Sequence, residues 1–337
     1  MVSAATSRLE GIRGGSIDPG TVTVVLFLLG GAVFLLVGCL RSTTFAQLTI
    51  EGLAIGSVYG SLALALVLVY RATHVINFAQ GELAMFTTYI AWDLMQHGLS
   101  YWPAFAATLA IAFALGTALQ VTLIRPVQHR SVIAVVIVTV GLFILIDGVV
   151  NWIWGGDFKL MKSPFGLGSF DVGGVPIRHL YVGMMVVVFV SVVLVWALFR
   201  FTKLGLGMRA AALRPDAAAL VGVRVDSMLA IGWGLAAVLG AVAGLMAEPT
   251  QLFLTPVLMQ QILVYAFAAA VLGGLESPAG ALVGGLTIGV SLNLIVGYVP
   301  EKYVGSNLQL PLAFAVLLVI LLVKPSGLFG RREVRRV

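Results

Sequence analysis

The chain has 337 residues, 60% hydrophobic and only 10% charged, with a mean hydropathy of +1.06 and a formal net charge of +6. Such a composition excludes a soluble globule with an ordinary surface and implies an integral membrane protein. The pI of about 9.7 does not point to nucleic acid, because no basic patch is interleaved with exposed aromatic residues.

Residues 1–20 read as a short N-terminal segment carrying Arg8 and Arg13, followed by a first apolar run at 22–40. Leu36-Val37-Gly38-Cys39 has the look of a lipoprotein cleavage box. The run before it is longer than the apolar region of a signal peptide, so a membrane span is the better reading. Cys39 is the only cysteine, which excludes an intrachain disulfide and a cysteine metal cluster.

Nine more runs follow, at 47–70, 79–97, 101–124, 132–153, 180–200, 228–247, 257–275, 279–299 and 308–324. A span needs about 20 apolar residues at 1.5 Å rise, so the chain is expected to be an all-α, polytopic protein of about ten transmembrane helices. Glycines recur every fourth residue within them: Gly52, Gly56 and Gly60, Gly240 and Gly244, Gly280 and Gly284, and Gly285 and Gly289. That spacing lines small residues along one helix face and lets neighbouring backbones approach closely. It implies a compact bundle, either tightly packed or with a contact that moves.

Between the second and third runs stands Tyr70-Arg-Ala-Thr-His-Val-Ile-Asn-Phe-Ala-Gln-Gly-Glu82. Asn77 is a good N-cap and Gln80 occupies the capping-box position, which places a helix restart near Phe78. Glu82 falls in the first turn, where a carboxylate complements the helix dipole. A break at the membrane edge makes this plain capping. A break inside the membrane turns the helix end toward a polar pathway, with Tyr59, Asn77, Gln80 and Glu82 as the residues expected to meet a substrate. Glu51, Asp93 and Asp147 lie near predicted span ends and Glu248 begins an outer loop, so interfacial roles suit them. No acid is paired with a base at mid-span, which weakens the case for an ion-driven carrier.

Orientation follows from the cations. With the N-terminus inside and ten crossings, only Arg41, Lys159, Lys162, Arg178 and Lys302 fall outside, against 15 of the 20 Lys+Arg inside. The positive-inside rule then places both termini in the cytoplasm. Residues 154–179 become an outer loop rich in Gly, Pro and aromatics, a cap or docking surface, with Trp152 and Trp154 at the membrane interface.

Residues 199–227 form the longest interruption of the apolar pattern and hold Arg200, Lys203, Arg209, Arg214 and Arg224. They read as two short amphipathic helices broken at Arg214-Pro215, since proline disfavours the α region for the residue before it and suits a first helical position. The segment is either a solvated connector or a cytoplasmic element that takes force from a soluble motor. The chain ends in a basic tail, 326–337.

The four histidines are isolated and offer no metal-ligand spacing. No G-x-x-x-x-G-K-[ST] phosphate loop occurs, so any ATP consumption belongs to another chain. No catalytic residue or metal site is assigned.

Four ordered blocks, 52–91 with its V-I-N-F-A-Q-G-E sequence, 204–226, 269–290 and the tail 323–337, closely resemble the LivH branch of the permeases of branched-chain amino acid ABC importers. The similarity covers about residues 47–337. It implies an ABC-importer permease fold over 21–325 and a bacterial inner-membrane location. It also implies partnership with a second, LivM-like permease, two LivG/LivF-like ATP-binding subunits that hold the ATP and magnesium, and a periplasmic or lipid-anchored solute-binding protein. Membrane lipids surround the whole. By the same carry-over 207–223 contains the coupling helix, with Arg209, Arg214, Pro215, Asp216, Leu220 and Gly222 as the residues that meet the ATPase. Gln80 stands where many relatives carry histidine. The implied function is a pathway for branched-chain amino acids by alternating access, without chemistry of its own. Urea or short amides are the alternative solutes, and a stand-alone channel or secondary carrier is the alternative mechanism.

Overall fold

The computed structural model describes residues 19–323, apart from 129, 167, 252 and 300–308, together with 327–330. Residues 1–18, Lys302 and the basic tail beyond 330 lie outside them. Twelve α-helices occur among the described residues: α1 (Pro19–Arg41), α2 (Thr43–Thr73), α3 (Gln80–Gln96), α4 (Tyr101–Leu119), α5 (Val132–Trp154), α6 (His179–Phe201), α7 (Lys203–Leu213), α8 (Pro215–Leu220), α9 (Val225–Ala247), α10 (Leu258–Gly273), α11 (Pro278–Tyr298) and α12 (Gln309–Val323). Ten of them coincide with the ten apolar runs, and α7 and α8 occupy the central basic interruption, broken at Arg214-Pro215.

Among the described residues, six candidate membrane spans meet both length and hydropathy: α2, α4 with its π-helical extension to Ile124, α5, α6, α9 with its 3-10 extension to Thr250, and α11. That is fewer than the ten runs suggest. Local chain geometry shortens two of the others. α3 starts only at Gln80, and α10 stops where Gly274 takes φ +99°, leaving 17 and 16 residues, about 25 Å of helix at 1.5 Å per residue.

Helix ends are set by side-chain caps. The hydroxyls of Ser42, Ser131, Thr202 and Ser277 accept the amides of Phe45, Ala134, Gly205 and Gly280 at the starts of α2, α5, α7 and α11, satisfying donors that a helix start leaves open. α2 ends with His74 in the left-handed region at φ +54°. Ser169–Val172 (β1) and Val175–Arg178 (β2) form an antiparallel hairpin closed by Gly173 and Gly174, both at positive φ, the two-residue geometry that matches strand twist.

Core residues concentrate on α2, α3, α9, α10 and α11. α5 and α6 lie at the periphery and turn Ile137, Ile144, Phe189 and Leu194 outward, a pattern suited to hydrocarbon contact. The backbone of Leu328 and Phe329 donates to the carbonyls of Leu272 and Gly273, pinning this stretch against the end of α10.

Candidate functional site

α2 and α11 are the most intimately packed pair, and glycine makes this possible. A methyl built on Gly52 would lie 2.7 Å from the Val290 Cα, and one on Gly56 would lie 2.8 Å from the Gly285 carbonyl oxygen. Gly60 faces Leu282 at 3.3 Å. Gly280 and Gly284 serve a different seam, against Gly273 and Ala269 of α10. The two seams clamp α11 between α2 and α10. In such contacts backbone meets backbone, and any side chain would wedge the helices apart.

Beside this clamp lies a partly open cavity of about 710 Å³ between α2, α10 and α11, also lined by Phe158, Thr250, Gln251, Phe253, Thr255 and Val257. Among the described residues that line it, none carries a formal charge. Its polar side chains are the hydroxyls and amides of Tyr59, Thr250, Gln251, Thr255, Gln261, Tyr265 and Asn293, and its apolar wall includes Ile55, Val58, Ile262 and Leu292. Tyr59 and Tyr265 meet with ring centroids 5.1 Å apart, and the Gln261 amide donates to the Tyr265 hydroxyl at 3.1 Å. Phe158 and Phe253 pair with ring centroids 5.2 Å apart. Neutral polar groups beside an aliphatic wall suit a small solute with no net charge and an apolar portion.

Of the four expected pathway residues only Tyr59 lines this cavity. Asn77, Gln80 and Glu82 are buried elsewhere in the bundle. Asn77 sits before the helix start rather than at its cap: α3 begins at Gln80, two residues later than the sequence suggests, and its capping residue is Ala79. The Asn77 Oδ1 accepts from the Ala79 amide at 3.1 Å, and its Nδ2 donates to Gln80 Oε1 at 3.2 Å. Gln80 does not reach back to a backbone amide because its Nε2 donates to the Ala236 carbonyl on α9 at 3.0 Å. The turn is therefore tied to α9 by side-chain amides, as buried polar groups require. Glu82 makes no hydrogen bond of good geometry; Gln260 and Asp147 are the polar side chains that act on it.

The polar residues missed in the sequence carry a faint signal. Gln261 and Asn293 are neutral polar residues inside apolar runs, but only the helix register shows which of them face one space. The hairpin was also missed, although Val172-Gly173-Gly174-Val175 is a recognisable two-residue turn.

At the opposite end of the bundle, α8 opens with Pro215 at its first position and Asp216 in its first turn. Leu220 is 89% exposed, Val221 is exposed beside it, and Gly222 turns the chain at φ +86°. Ala218, by contrast, is buried, while Leu220 and Val221 are the large apolar side chains left exposed at this tip. Arg214 is exposed at the break, while Arg209 is half-buried and its Nε donates to the Gly205 carbonyl. Just past this element, Asp226 in the first turn of α9 forms an ion pair with Arg125, 2.5 Å apart.

Comparison with known proteins agrees with this architecture. A family described as "Branched-chain amino acid transport system / permease component" matches residues 48–323. The high-affinity branched-chain amino acid transport system permease protein LivH of Salmonella typhimurium is 29% identical over 306 residues, covering 87% of this chain and 98% of that protein. Its Escherichia coli (strain K12) namesake is 29% identical over 307 residues with the same coverage. BraD of Pseudomonas aeruginosa, of the same description, is 29% identical over 306 residues, again covering 87% and 98%. With a glycine-clamped helical bundle, spans apolar enough for a bilayer and a match across most of its length, the chain belongs to the branched-chain amino acid transport system permease family.

Proposed function

We propose that this chain is one permease subunit of an ATP-binding-cassette importer that passes branched-chain amino acids across the bacterial inner membrane by alternating access. The observation that carries the proposal is the cavity between α2, α10 and α11, whose described lining residues are all uncharged. A zwitterion has no net charge, so hydroxyl and amide groups suffice to orient its ends, and the wall of Ile55, Val58, Ile262 and Leu292 accepts an aliphatic side chain. Weak, uncharged binding also favours release, which transport requires. A second permease, related to this chain, would close the open side of the cavity.

In this reading the chain crosses the membrane ten times with both termini inside, so α7 and α8 face the cytoplasm and the β1–β2 hairpin faces outward. The short helices α3 and α10 then complete their crossings with flanking non-helical residues held inside the bundle, where irregular backbone is tolerated. The exposed Leu220 and Val221 dock in a groove of an ATP-binding subunit, with Arg214, Pro215, Asp216 and Gly222 shaping the contact. Solute selection rests mainly with an external binding protein. The ATP and magnesium stay on the partner subunits.

The test is reconstitution with the partner subunits in proteoliposomes, measuring uptake of labelled leucine, valine and urea with and without ATP. ATP-dependent uptake of leucine and valine, supplied by the binding protein, is the expected result. Uptake of urea alone would reassign the solute, and ATP-independent flux through the isolated chain would replace the importer with a channel or carrier.

A further inference from the structure

Phe158 and Phe253 come from different parts of the chain, one just past the end of α5 and one in the connection from α9 to α10, yet they meet beside the cavity. Their ring centroids stand 5.2 Å apart, and the residues next to them exchange two main-chain hydrogen bonds. The Lys159 amide donates to the Leu254 carbonyl at 3.1 Å, and the Leu254 amide donates to the Lys159 carbonyl at 2.9 Å. Both rings line the cavity. They are 70% and 40% exposed, whereas Val58, Tyr265 and Leu292 of the same lining are buried, so the ring pair stands toward the open end and the aliphatic wall lies deep. The α5 side of this contact is held at two points. Before it, the Trp154 ring stacks on Tyr89 with centroids 5.4 Å apart, and its indole donates to Asp93 at 3.4 Å. After it, the Trp92 indole donates to the Leu160 carbonyl at 3.1 Å, and the Lys159 ammonium lies 5.6 Å from the Trp92 ring centroid. Between these anchors Gly155, at φ +74°, and Gly156 give the chain a pivot that a larger residue would stiffen.

We infer that the Phe158–Phe253 contact is the outer gate of the cavity, closed in this structure and opened by swinging the chain between Gly155 and Lys159 away from Leu254. The gate rests on the importer reading above and adds to it the element that admits solute from outside. Both connections fall on the outer face in that topology. The closed contact consists of two hydrogen bonds and one ring pair, interactions of modest net strength where water can replace them. The α2–α11 and α10–α11 seams, in contrast, set main chain against main chain and leave no side chain to move. Motion is therefore easiest at the ring pair. Phe158 and Phe253 have no hydrogen-bonding group in their side chains, so the closed pair offers a polar solute nothing to bind and acts as a barrier rather than a subsite. A short segment hinged at glycine and latched by a few contacts is a common construction for a gate over a binding cavity.

The experiment uses the full transporter with its partner subunits in a Cys39→Ala background. Phe158→Cys and Phe253→Cys are combined and bridged with a short bifunctional thiosulfonate, whose disulfide links a reductant removes. ATP-driven uptake of labelled leucine should stop on bridging and return on reduction, and the same reagent should not block either single-cysteine variant. Undiminished uptake by the bridged protein would overturn the gate. Opening is also read without solute or ATP, from the rate at which an impermeant thiol reagent added outside modifies Ile262→Cys, a buried lining position. Adding Phe158→Ala should raise that rate roughly fivefold, the population shift that loss of an aromatic pair of ordinary strength allows. An unchanged rate would overturn the gate, and this comparison decides the matter if the double-cysteine variant fails to assemble. Because the labelling needs no transport, a wild-type complex that takes up no leucine would sink the proposed solute while the gate is still judged on labelling.

Discussion

A methyl group placed on Gly56 would stand 2.9 Å from the Cα of Leu286 across the α2–α11 contact. Neither neighbour can yield, because the obstacle is main chain and not the end of a flexible side chain. Packing in this seam therefore determines how α2 and α11 present Tyr59 and Asn293 to the cavity between them.

Gly56→Leu is accordingly expected to lower complex yield and thermal stability, and Gly56→Ala to cost at least about 1–3 kcal/mol, the range for overpacking a filled core. Leu53→Ala, on the half-buried face of the same helix, should do less. A melting temperature in detergent that is unchanged in Gly56→Ala would show that the seam can open freely.

The buried amide pair makes a different prediction. Asn77 and Gln80 are bonded to each other, to the Ala79 amide and to the Ala236 carbonyl. Asn77→Ala should reduce stability by about 1 kcal/mol, the net worth of a typical hydrogen bond. Abundance should fall while uptake per assembled transporter keeps its KM. A changed KM at normal abundance would return these residues to the pathway.

In the cavity the order of effects should reverse. Gln261→Ala removes the donor to the Tyr265 hydroxyl and should raise the KM for uptake several-fold at normal abundance. Gln261→Glu should be worse, because it introduces a carboxylate into a space with no charged side chain among its described lining residues to pair it. Equal kinetics in both variants would separate this cavity from the transport route.

The exposed apolar tip of α8 can be tested against its buried neighbour. Leu220→Asp should leave the bundle folded and uncouple binding-protein-stimulated ATP hydrolysis from uptake. Ala218→Asp should instead destabilise the chain, since it places a charge at a buried position. Arg214→Ala should have a smaller effect on coupling than Leu220→Asp, exposed ion pairs being individually weak. Full coupling in Leu220→Asp would make the α7–α8 segment a connector only.

Orientation is open to direct labelling. In a Cys39→Ala background, a single cysteine at Ser169 in the hairpin should react with an impermeant thiol reagent in intact cells, and one at Asp216 should react only after permeabilisation. Labelling of the Asp216 site in intact cells would invert the topology.

Composition and periodicity alone determined the membrane character, the helical class and the positions of ten helical segments, because hydropathy and the proline and capping rules act over a few neighbouring residues. The four-residue glycine spacing likewise declared close helix contacts without naming partners. Only the tertiary structure decided that Gly52, Gly56 and Gly60 meet α11 while Gly280 and Gly284 meet α10. It alone separated Tyr59 from Asn77, Gln80 and Glu82, and gathered Gln261, Tyr265 and Asn293 around one cavity. The reason is physical. In a helix apolar all round, the hydropathy pattern does not distinguish the face toward lipid from the face toward a neighbour, so partner and register emerge only when the small residues of several helices are packed together.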